Sequence, residues 1–105
     1  MTTLCGVVII YNMEAELILK RKYPISINSF VELIIWSLPS PLPGSKHNFK
    51  YRFAFVVDNI CVLRYDNEVG KGDHKHIGEK EVPYQFKSKE NLIEDFLNDV
   101  NNWGT

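Results

Sequence analysis

An excess of charge of one sign is the first thing this 105-residue sequence lacks. Twelve Lys and Arg stand against thirteen Asp and Glu, for a formal net charge of −1. That excludes a domain that grips nucleic acid by bulk positive charge, although a local patch can still meet an anionic ligand. Cysteine is scarce too. Cys5 and Cys61 are the only two, and there is no Cys-x-x-Cys. A disulfide framework is therefore excluded, and the composition is that of a protein from a reducing cytoplasm. Long apolar runs are missing as well. The N-terminal "TLCGVVIIYN" falls well short of the ~20 residues of a spanning helix. It also lacks the basic start and small-residue cleavage site of a signal peptide. No repeat or low-complexity segment interrupts the chain, which has the length of one domain, residues 1–105.

The charge is unevenly spread. Residues 1–52 hold six Lys/Arg against three Asp/Glu; residues 53–105 hold six against ten, much of it after Ser88. A mildly basic body thus precedes an acidic tail. The N-terminal run reads as a strand or as an extension, residues 1–12, ahead of a native start at Met13. The codons for Gly6, Val7, Val8 and Ile9 can contain a ribosome-binding sequence at a suitable distance.

Alternation in "AELILKRKY" (15–23) predicts a half-buried strand ended by Pro24, and "SFVELIIWSL" (29–38) a second strand stopped by Pro39. Three prolines and a glycine make 39–48 a long loop, in which His47 reads as a solvated residue. "FKYRFAFVV" and "ICVLRYD" flank Asp58-Asn59, a two-residue hairpin turn. The expected register sets Val57 against Ile60, Phe55 against Val62, Phe53 against Arg64 and Tyr51 against Asp66 on one face. Val56–Cys61, Ala54–Leu63 and Arg52–Tyr65 fall on the other. Residues 79–87 are a short extended piece broken by Pro83. Ser88 caps a helix whose stripe is Leu92, Ile93, Phe96, Leu97, Val100 and Trp103, with Gly104 suited to its end. The predicted fold class is α+β: an antiparallel sheet of four to five strands with one C-terminal helix packed on it.

The chemistry concentrates in "GKGDHKHIG", residues 70–78, which holds two of the three histidines. If 73–77 is extended, His74 and His76 project to one side and Lys75 to the other. Three readings fit. A His-x-His pair with Asp66 or Asp73 is a partial metal site, but it lacks an obvious fourth ligand. Two imidazoles can also serve as base and acid in metal-independent RNA cleavage. Arg64, Lys75 or Arg52 would then neutralise the phosphorane, and Tyr51 or Tyr65 would stack on a base. The third reading is a solvated polar loop.

The order of three motifs resembles one family. Arg64-Tyr65-Asp66-Asn67 is followed by Gly72-Asp73-His74-Lys75-His76, then by Pro83-Tyr84-x-Phe86 and an acidic–apolar helix. From "MEAELILKRK" onward, over roughly residues 13–103, this is similar to the TumE-type toxins of bacterial and archaeal toxin–antitoxin modules. The resemblance implies the toxin of a two-gene module, partnered by a small antitoxin, expected to be a helix-turn-helix DNA-binding protein. RNA cleavage is inferred from the histidine pair and from analogy with other small sheet-plus-helix toxins. The expected catalytic set is His74, His76, Arg64, Asp66 and Lys75, without metal or cofactor. The expected RNA contacts are Tyr51, Arg52, Tyr65, Lys50, Lys20 and Lys22. The alternatives are a non-catalytic binding module and a homodimer paired through the aromatic strand face of Phe49, Tyr51, Phe53 and Phe55.

Overall fold

Two residues at the Asp58-Asn59 corner take positive φ, 51° and 66°, as a tight two-residue hairpin requires. That corner sits midway in an antiparallel meander. The computed structural model describes residues 14–103. Its strands are β1 (Glu16–Ser26), β2 (Ser29–Ser37), β3 (Phe49–Val57), β4 (Ile60–Glu68), β5 (Gly72–Ile77) and β6 (Lys80–Pro83), paired in sequence order as one sheet. Helix α1 (Lys89–Asn101) follows. The expected N-terminal strand, the Met13 start and the Gly104 cap lie outside the described residues. Among those residues, no helix is long and apolar enough to cross a membrane.

The sheet has six strands, not four or five. Gly78, at φ 62°, turns the chain sharply enough for the histidine run and the segment after it to form a hairpin. Pro83 closes the short outer strand, where its missing N–H costs no ladder bond. Pro24 likewise does not end β1, because that strand has a partner on one side only among the described residues.

The β3–β4 register departs from the expected one after two pairs. Val57–Ile60 and Val56–Cys61 hold. Val62 is then an extra residue, so Phe55 meets Leu63, Phe53 meets Tyr65 and Arg52 meets Asp66. The bulged carbonyl of Val62 accepts the Gly78 N–H at 2.9 Å. Without this slip, Arg64 and Asp66 would point into the helix-covered core, and Leu63 and Tyr65 would point away from it. Burying charge there costs far more than one irregular pair. With it, Leu63 and Tyr65 are each 1% exposed.

Ser88 caps α1 by accepting the Asn91 N–H at 3.0 Å. Leu92, Phe96 and Val100 form the buried stripe, with Phe96 edge-on to Phe53 and Tyr65 at 5.3 Å. Leu97 and Trp103, expected on that stripe, remain over a third exposed: Leu97 falls beside the narrow Leu92–Phe96–Val100 stripe, and Trp103 lies beyond the end of α1 at Asn101. Tyr51, Phe53 and Phe55 are buried within the chain, and Phe49 packs against the same core. The aromatic strand face thus leaves no surplus that would call for a second copy.

Candidate functional site

Strand pairing assembles the site in two rows on the sheet face away from α1. Lys20, Ile34, Arg52, Asp66, His74 and Pro83 are successive cross-strand partners. The adjacent row runs Lys22, Glu32, Ala54, Arg64, His76 and Glu81. Directly paired residues share a face, so Arg52, Arg64, Asp66, His74 and His76 are brought together.

The two imidazoles are held in different ways. His74 Nδ1 donates to the Gly72 carbonyl at 3.1 Å, which leaves Nε2 pointing toward Glu81 Oε2 at 3.7 Å. His76 Nε2 accepts from Arg64 Nη2 at 2.9 Å, so its lone pair is on that nitrogen. Asp66 Oδ1 and Glu81 Oε2 each lie 4.0 Å from the same nitrogen. Arg64 Nε faces Asp66 Oδ2 at 3.2 Å. Asp66 is only 7% exposed, and its Oδ1 has no hydrogen-bond donor among the described residues. Glu81 was missed by sequence reasoning. Its signal was its position in the Gly78 hairpin, which sets it opposite His76. Among the described residues, no group of three or more His, Cys, Asp or Glu is placed to hold a metal ion.

Lys75 does not join the pair. It projects to the helix face, where Nζ meets Asp99 Oδ2 at 3.3 Å. Tyr51 and Tyr65 do not present their rings to a base, because both are fully buried beneath the helix side of the sheet. Tyr51 donates to Asp73 Oδ2 at 2.6 Å and Tyr65 to Asp99 Oδ2. Lys50 is half-buried and donates to the Asn67 carbonyl, and desolvation lowers its pKa from the ordinary lysine value. Lys20 and Lys22 are exposed on β1.

His47 is not a solvated loop residue. Its Nδ1 accepts the Phe49 N–H at 3.2 Å, so Nε2 carries the hydrogen and donates to Asp73 Oδ2 at 2.8 Å. Its ring stacks on Phe86 at 3.8 Å. Both nitrogens are engaged, which makes His47 a pin between the 39–48 loop and β5. Asp73 Oδ2 accepts from both His47 and Tyr51, which ties this carboxylate to the helix side of the sheet.

The buried phenols carry a pH signature. Burial first, then donation to Asp73, pushes Tyr51 far above the ordinary tyrosine range. Tyr65 beside Asp99 and Tyr84 beside Asp95 are raised for the same reasons. An unfolded chain releases these protons near pH 10, and the folded one holds them. Stability from this source is therefore complete below about pH 10 and falls as pH rises further. Tyr51, the most deeply buried of the three, is expected to contribute a slope of up to about 1.4 kcal/mol per pH unit, Tyr65 and Tyr84 less, and Lys50, with its lowered pKa, opposes them over the same range. Urea unfolding between pH 9 and 11.5 measures it, and Tyr51→Phe makes the decline shallower. A flat profile over that range contradicts the assignment.

The family model described as Toxin TumE matches residues 9–104. No curated protein and no solved structure matches the chain.

Proposed function

The chain belongs to the TumE family of toxins, the toxin half of a toxin–antitoxin module, and we propose that it acts as a metal-independent endoribonuclease centred on His74 and His76. The observation that carries this reading is the pairing of two imidazoles on one strand face with a guanidinium and two carboxylates around them. Successive same-side residues on a strand stand roughly 7 Å apart, enough to bracket a phosphodiester.

In the proposed reaction one histidine takes the proton of the 2′-hydroxyl. The 2′-oxygen attacks phosphorus, the P–O5′ bond breaks, and the other histidine, protonated, gives its proton to the leaving 5′-oxygen. The products are a 2′,3′-cyclic phosphate and a 5′-hydroxyl. His76, with its Nε2 lone pair, suits the base. An arriving phosphate is a stronger acceptor than imidazole and draws the Arg64 guanidinium onto the phosphorane oxygens. Asp66 and Glu81 then face the positive charge that His76 acquires. His74, fixed through Nδ1 and facing Glu81 through Nε2, suits the acid. Lys75 acts only by fastening β5 to the helix.

The test is purified protein with end-labelled RNA in excess chelator. Cleavage is expected. Cleavage lost on chelation moves the chemistry to a metal. Salt-sensitive retention without cleavage leaves a non-catalytic binding module, the reading in which Arg64 keeps the His76 lone pair. The partner in the cell is the antitoxin of the module, for which a helix-turn-helix protein is our proposal.

A further inference from the structure

We infer that the open edge of β1 is the docking site for an extended, acid-centred segment of the antitoxin, which adds to the six-stranded sheet as one more strand. This goes beyond the proposed reaction and rests on the toxin family, not on RNA as the substrate.

The two edges of the sheet are unlike. β6 is four residues long, ends at Pro83 and carries Lys80 beside Glu81. Short, charged, proline-ended edges are how sheets avoid stray pairing. β1 runs eleven residues, and every one but Leu19 is exposed. Its regular part lies between the bulge at Ile18 and Pro24, and among the described residues only β2 pairs with it. Alternate N–H and C=O groups there face away from β2, a row that an added strand can bond.

The side chains select the kind of strand that fits. Lys20, Arg21 and Lys22 stand together at the centre, and no acid occurs from Leu17 to Val31. Arg21 Nη1 donates to the Lys20 carbonyl at 3.0 Å, and Lys22 Nζ lies over the Phe30 ring. The acids nearest in the pairing are Glu16, at the start of the strand, and Glu32, across from Lys22. Neither forms an ion pair with the three cations among the described residues. Five of the nine large apolar side chains left exposed among those residues fall in the same stretch: Leu17, Ile18, Tyr23, Ile25 and Ile27. Lysines protect an edge from self-pairing, but protection does not call for exposed apolar residues beside them.

The matching segment therefore has carboxylates at its centre and apolar residues at both ends, a pattern that reads the same in either strand direction. A second copy does not match. Paired across Leu19–Tyr23, it sets Arg21 against itself and Lys20 against Lys22, like charges directly opposite. RNA matches the cations, whereas the backbone row and the aliphatic ends match a peptide. β1 lies four strands from β5, about 19 Å, so a segment docked there anchors the antitoxin without covering the histidine pair.

Hydrogen exchange of the full chain, alone and with the purified antitoxin, tests the site. Amides within residues 17–25 are expected to slow in the complex, and the toxin alone is expected to be a monomer by light scattering. Arg21→Glu is expected to weaken the complex at least about tenfold, and Lys20→Glu/Arg21→Glu/Lys22→Glu at least about a hundredfold, with Arg21→Gln milder than Arg21→Glu. Circular dichroism of each variant separates these losses from a folding defect, and the single variant keeps the test if the triple one misfolds. Protection confined to β5, β6 or α1 overturns the docking site. So does unchanged affinity in Arg21→Glu, or an antitoxin with no acid-centred extended segment. A toxin dimer that protects β1 gives the edge to a second copy instead, and a triple variant that loses RNA but keeps the antitoxin gives it to RNA. Complex formation with the expected responses sustains the site even if no RNA is ever cut, and only the nuclease reading then fails.

Discussion

Replacing His74 and His76 together by alanine is expected to abolish toxicity in cells lacking the antitoxin and to leave the fold intact. A positioned acid or base contributes about 10²–10⁴-fold in rate, so each single variant loses RNA cleavage on that scale and the pair loses measurable activity. Both side chains are only half-buried, and neither belongs to the core formed by Tyr51, Phe53, Leu63, Tyr65 and the helix. Circular dichroism and the urea midpoint of the double variant therefore stay near those of the parent. Full toxicity with an unchanged fold would sink the catalytic assignment.

Phe96→Ala is expected to have the largest effect on stability, about 3–5 kcal/mol. The ring is fully buried and meets Phe53 on β3 and Tyr65 on β4 edge-on. Small domains hold only about 5–15 kcal/mol in total, so the variant sits near the unfolding threshold at growth temperature. Leu97→Ala, one position along, is expected to change stability by less than about 1 kcal/mol, because that side chain is over a third exposed. Urea denaturation of both variants checks the contrast, and comparable losses would contradict the narrow helix stripe.

The elements that local chemistry decides were legible in the sequence. Asp58-Asn59 announced its own turn, Ser88 its cap, and Leu92, Phe96 and Val100 their helical spacing. The elements that depend on distant partners were not. Val62 carries no bulge signature; its extra residue is set by which of Leu63 and Arg64 the helix side can accept, a decision made thirty residues further along the chain. His47 looks solvated until Asp73 and Phe86 arrive from β5 and from the segment before α1. The prolines misled in the same way, because their cost depends on whether a strand has a neighbour on both sides.

The candidate site shows the same division. His74 and His76 were visible as a pair, and two-residue spacing correctly put Lys75 on the other side. Glu81 became visible only once the Gly78 turn folded β6 back onto β5. Tyr51 and Tyr65 looked available for stacking because an aromatic on a polar strand end reads as exposed. Their hydroxyls in fact reach Asp73 and Asp99, which satisfies each phenol in place and lets the rings be buried.

The central claim is acid–base cleavage by the histidine pair, and the ends of the RNA fragments test it most directly. With the protein in excess chelator, the expected products end in a 2′,3′-cyclic phosphate on one side and a 5′-hydroxyl on the other. The His74→Ala/His76→Ala protein is expected to give neither. Fragments ending in a 3′-hydroxyl and a 5′-phosphate, or the same cyclic ends from the double variant, would contradict it.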